Sequence, residues 1–114
     1  MDPKWGAQSV QAIKAMVDAG VPVVFLDVCT PAEWEDGIIE GAIMVELNEL
    51  PTPAGIAKLP QDRNAIIAVY CKAGHRGVLA LALLHQLGYA NARNMNGGIT
   101  AWKDAGYPVV PPPE

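Results

Sequence analysis

One stretch of this chain is chemically equipped above the rest: Cys71-Lys72-Ala73-Gly74-His75-Arg76. The reactive form of cysteine is the thiolate, and neighbouring cations or a helix N-terminus lower a thiol pKa from about 8.5 to roughly 3.5–7.5. A short loop that curls at a helix N-terminus can aim successive backbone N–H groups inward. The helix dipole adds roughly half a positive charge there, so such a loop cradles an anion. Gly74 permits the tight curl. Cys71 is therefore the candidate nucleophile, and Lys72, Ala73, Gly74, His75, Arg76 and Gly77 are the candidate binding residues. A cysteine that ends a buried strand is ordinarily an inert small hydrophobe; the cationic, glycine-containing loop behind this one favours the reactive reading.

Other chemically capable residues carry plainer readings. His85 falls in the last turn of a predicted helix, where a cation suits the dipole. Asp27 follows a predicted buried strand and can organise adjacent loops by hydrogen bonding. Trp34 and Trp102 read as packing anchors, and Gly97-Gly98 as a turn that can border the site. Cys29 and Cys71 lack C-x-x-C spacing, and His75 and His85 lie ten positions apart, so neither a structural zinc site nor a disulfide framework is expected. No metal or organic cofactor is called for by the thiolate chemistry.

The elements that must position this loop follow from the hydrophobic pattern. Val10, Ile13, Met16 and Val17 recur at helical spacing and Gly20 closes the pattern. The run 21–28 is short, mostly apolar and rich in β-branched valine, long enough for a strand covered on both faces. Thr30-Pro31-Ala32-Glu33 reads as a capping box with proline at the first helical position. A strand is expected over 42–47 and a turn of helix near Ile56. The clearest buried strand is 65–71 and the clearest helix 77–88, apolar almost all round. A weaker strand over 92–95 and a helix over 100–105 precede a proline-rich tail, 107–114, in which regular structure is not expected. Strands alternating with helices predict an α/β domain with a mainly parallel sheet and helices on both faces. In such sheets ligands bind beyond the carboxyl ends of the strands, which is where Cys71 falls.

At 114 residues the chain has the length of one domain, 1–114, and its 51% hydrophobic and 18% charged content supplies a core rather than a disordered tract. A net charge of -4 excludes a broad basic surface, so nucleic acid is not an expected partner. The apolar runs fall short of the ~20 residues of a membrane helix. The first ten residues have no basic region leading into an apolar one, so a cytoplasmic location is expected.

The sequence resembles a single-domain rhodanese, a sulfurtransferase family. The resemblance runs nearly end to end, through LDVCTPAEWEDGIIEGAI, VYCKAGHR of the C-x-x-G-x-R type, LGYANARNMNGGITAW and GYPV. It implies a sheet of about five strands with flanking helices and catalysis through a persulfide on the loop cysteine. Carried across, Cys71 accepts the sulfur, the backbone from Lys72 to Gly77 is the cradle, and Arg76 closes the loop. The implied partners are a small anionic sulfur donor and, as acceptor, cyanide, a thiol or a sulfur-relay protein. Two departures stand out. Where rhodaneses commonly read D-V-R and G-H-I-P-G-A, this chain has Asp27-Val28-Cys29 and Gly37-Ile38-Ile39-Glu40-Gly41-Ala42.

The chemistry runs as a ping-pong cycle: Cys71 attacks the sulfane sulfur of thiosulfate or a similar donor, sulfite leaves, and the acceptor takes the terminal sulfur from the persulfide. Two alternatives use the same fold or the same nucleophile. A cysteine phosphatase or arsenate reductase needs five residues between cysteine and arginine, whereas four separate Cys71 from Arg76. A non-catalytic binding or regulatory module typically lacks the cysteine.

Overall fold

The computed structural model describes residues 5–73 and 75–113. Its elements in order are β1 (Ala7–Gln8), α1 (Val10–Asp18), β2 (Val23–Asp27), α2 (Pro31–Trp34), β3 (Ile43–Met44), α3 (Pro53–Ala57), β4 (Ile66–Tyr70), α4 (His75–Gln86), β5 (Arg93–Met95) and α5 (Gly98–Asp104). The five strands form one parallel sheet in the order β1-β5-β4-β2-β3. This is the α/β architecture with a parallel sheet that the alternating pattern predicts.

The central strands β2 and β4 pair over their full length, from Val23 opposite Ile66 to Asp27 opposite Tyr70. Because side chains alternate along a strand, β4 feeds two cores at once. Ile67, Val69 and Cys71 pack with Leu26, Val28 and the α4 residues Ala80, Leu81 and Leu84. Ala68 and Tyr70 pack on the other face with Phe25, Val10 and Ile13 of α1, and Ile99 and Trp102 of α5. Burial on both faces is why β2 and β4 read as continuous apolar runs. The capping box forms as expected: the Thr30 hydroxyl accepts from the Glu33 amide, and the Glu33 carboxylate accepts from the Thr30 amide.

Several expectations need correction. The strand β1 carries no period-two signal; it exists because its backbone completes the edge of β5, where Gly6 and Gln8 carbonyls accept from the Asn94 and Asn96 amides. Helix α4 starts at His75 instead of Gly77, so His75, Arg76 and Gly77 occupy its first turn and the free loop is shorter than the sequence suggested. That helix is apolar almost all round yet only partly buried, with Val78 and Leu79 exposed. Val17, placed on the apolar face of α1, is likewise exposed. Helix α5 starts at Gly98, which shortens the expected turn. In the tail, Val110 pairs antiparallel with Ile38 through two backbone bonds of 2.8 Å. Proline lacks an N–H, but Val110 supplies one, and the Pro108 carbonyl accepts from the Trp102 indole. The expectation for Gly74 lies outside the described residues.

Candidate active site

Cys71 follows β4 directly and is almost fully buried. Its position is set from two sides. On the β2 side the ladder continues past the strand, with the Val28 amide donating to the Tyr70 carbonyl at 2.9 Å. On the α5 side the Ile99 amide donates to the Cys71 carbonyl at 2.9 Å and the Thr100 amide to the Lys72 carbonyl at 3.1 Å. The first turn of α5 thus finds partners for amides that a helix start leaves over. In a trans peptide the carbonyl of one residue and the amide of the next point opposite ways. Tying the Cys71 and Lys72 carbonyls to α5 therefore turns the Lys72 and Ala73 amides away from α5, toward the α4 face on which Cys71 packs.

Two glycines make this approach possible. A Cβ on Gly98, whose φ is +62°, would lie 2.4 Å from the Cys71 carbonyl oxygen and 2.6 Å from that of Lys72. A Cβ on Gly77 would lie 2.2 Å from Oδ1 of Asn94. Gly98 does border the site, as the turn reading allowed. Asn94 is a residue the sequence reading missed: it sits on β5, nearly buried, beneath the first turn of α4, and its Oδ1 has no hydrogen-bond partner among the described residues. The only prior sign of it was a polar letter in an otherwise weak strand.

Of the predicted binding residues, Lys72, Ala73 and His75 are exposed and Gly77 is buried. Arg76 engages α2: its Nη1 and Nη2 donate to Glu33 Oε1 and Oε2 at 2.6 and 2.8 Å. The same carboxylate accepts from the Thr30 amide and hydroxyl. Held chiefly by the Arg76 guanidinium and by the Thr30 bonds against the cost of burial, Glu33 titrates near 2. Arg76 is correspondingly pushed above its ordinary range, first by that carboxylate. Its charge is largely committed to Glu33, which leaves Lys72 as the exposed cation of the loop.

Beside Lys72 lies a cavity of about 40 Å³ lined also by Cys29, Glu33, Ile99, Thr100 and Lys103. A groove of about 340 Å³ on the other side is lined by Val28, Cys29, Thr30, Glu46, Leu47 and Arg76. Cys29 borders both. Asp27 acts within the scaffold: one oxygen accepts from the Cys29 amide at 2.8 Å and from the Trp34 indole at 3.0 Å. Trp102 meets Phe25 and Tyr107 edge to face, and a ring nitrogen of His85 bonds the Ala92 carbonyl, both away from the loop. Among the described residues no group of three or more His, Cys, Asp or Glu is arranged to hold a metal ion, and no helix is long and apolar enough to cross a membrane.

The rhodanese-like domain family profile matches residues 9–105, and the chain belongs to that family. It is 38% identical over 90 residues to the sulfurtransferase of Allochromatium vinosum, covering 79% of this chain and 80% of that one. It is also 38% identical over 90 residues to the probable adenylyltransferase/sulfurtransferase MoeZ of Mycobacterium tuberculosis, matching 79% of this chain but only 22% of that protein. A rhodanese-related protein from Thermoplasma volcanium superimposes with a TM-score of 0.79 at 30% identity, over 93% of this chain and 98% of that one. At family level the chain is a rhodanese-like domain, and the relatives it resembles include proteins named sulfurtransferases.

Proposed function

We propose that the protein moves a sulfane sulfur from thiosulfate, or a similar anionic donor, to a thiol or cyanide through a persulfide on Cys71. The observation that carries this reading is the anchoring of the Cys71 and Lys72 carbonyls to α5, since it leaves the next two amides facing the side of the thiol. Those amides, with the N-terminus of the 12-residue α4, favour an anion in that space. The reaction passes through anions at each stage: the thiolate that attacks, the donor that is cleaved and the persulfide that results. Donors preset for the first also stabilise the last. Lys72, exposed at the edge of the small cavity, attracts the donor. Sulfite leaves, and the acceptor takes the outer sulfur.

The pairing of adenylyltransferase and sulfurtransferase in the MoeZ name supports a sulfur-relay protein as a further acceptor. Incubation with thiosulfate should add one sulfur, about 32 Da, to Cys71, and cyanide should remove it as thiocyanate. Cys71→Ser should lose both steps. Substantial turnover in that variant would overturn the mechanism.

A further inference from the structure

The departure at Cys29 places a second thiol at the carboxyl edge of the sheet. Strands β2 and β4 are neighbours with Asp27 opposite Tyr70, and the Val28 amide extends the ladder by one step, so Val28 stands opposite Cys71. Cys29 is therefore one residue out of register with Cys71. Past Val28 the chain turns out of the strand, with the Cys29 amide taken by the Asp27 carboxylate, and Arg76 lies within electrostatic reach of both cysteines. Both side chains pack in the same buried cluster, and the two cysteines are not bridged to each other. Cys29 also lines the small cavity beside Lys72, the residue that follows Cys71.

We propose that Cys29 is a resolving cysteine, which discharges the Cys71 persulfide as hydrosulfide when no acceptor arrives. The inference rests on the sulfurtransferase reading above. Cys29 gives up its proton and its Sγ attacks Sγ of Cys71. The bond between Cys71 Sγ and the outer sulfur breaks, and the electron pair leaves with the outer sulfur, which takes up the proton. The sulfane sulfur is reduced to sulfide, and the two cysteine sulfurs are oxidised to a disulfide. A small dithiol then reopens that disulfide and restores both thiols.

The surroundings of Cys29 make this a slow branch. The charged and titratable groups around Cys29 are Glu33, Asp36, Lys72 and Lys103 in the small cavity, Glu46 and Arg76 in the groove, and Asp27 and the Tyr70 hydroxyl within electrostatic reach. Burial first, then the Asp27 and Glu33 carboxylates, push the Cys29 thiol well above its ordinary value, and Arg76 offsets this only in part. The thiol stays protonated near neutrality, so the persulfide outlives the arrival of an acceptor. Discharge should accelerate about tenfold per pH unit through the neutral range, following the thiolate fraction of Cys29.

The test loads the parent, Cys29→Ser and Cys29→Ala with thiosulfate, removes the donor, adds no acceptor and follows hydrosulfide and intact mass. In the parent, hydrosulfide should appear at a rate independent of protein concentration, leaving a product about 2 Da lighter than the dithiol in which the Cys29 and Cys71 peptides are linked. Both variants should load as the parent does and hold the persulfide at least about tenfold longer. Equal lifetimes in all three, or hydrosulfide release without the linked peptides, would overturn the proposal while leaving the sulfurtransferase reading intact. Absence of any added sulfur on the parent would overturn both. If neither variant loads, the peptide map of the parent decides.

Discussion

The contact between Glu33 and Arg76 ties the first turn of α4 to α2 and depresses the Glu33 carboxyl enough to be tested. The Glu33 carboxyl falls from 4.5 to about 2 on folding. At about 1.4 kcal/mol per pKa unit that corresponds to roughly 3 kcal/mol before solvent screening. The side chains are 24% and 33% exposed, for Glu33 and Arg76 respectively, so the contribution is discounted to about 1–2 kcal/mol. The raised pKa of Arg76 is the same contact seen from its other partner and adds nothing further. Glu33→Gln, Arg76→Met and the double variant, unfolded in urea at neutral pH, should give a coupling energy of about 1–2 kcal/mol. Because the folded carboxyl titrates below the unfolded one, this stability is complete above pH 4.5 and is lost as pH falls toward 2. The coupling should vanish over that window. A coupling indistinguishable from zero at neutral pH, or one that persists unchanged near pH 2, would refute the assignment of Arg76 to Glu33.

Other substitutions probe the loop itself. Gly98→Ala puts a methyl 2.4 Å from the Cys71 carbonyl oxygen at a left-handed φ, so it should cost upwards of about 2 kcal/mol in thermal unfolding and slow sulfur loading. Gly77→Ala should cost about 1–3 kcal/mol against Asn94, and adding Asn94→Ala should recover much of it, as a double-mutant cycle will read. Lys72→Gln should lower kcat/KM for thiosulfate several-fold and leave a neutral sulfur donor less affected; equal losses would mean that the charge does not act on the donor. Cys71→Ser should show no mass gain with thiosulfate at any pH.

Much of this molecule was legible in its letters because the signals were local. The apolar runs at 23–27 and 66–70, the Thr30-to-Glu33 capping box and the glycines that follow α1 and α4 each announce their element within a few residues. The candidate nucleophile was legible for the same reason, since Cys71 and its cations are neighbours in the chain. Contacts between distant segments were not. Nothing near Arg76 in sequence points to Glu33, 43 residues away, and Asn94 becomes notable only where α4 descends onto it. Strand β1 is two residues long and draws its stability from the edge of β5 rather than from its own pattern. The proline-rich tail likewise finds its pairing in Ile38, far back in the chain. Local periodicity and capping are written in short-range backbone preferences, which a sequence displays. The direction of the loop amides depends on hydrogen bonds from α5 to the Cys71 and Lys72 carbonyls, and those exist only after parallel strands have brought the two segments together.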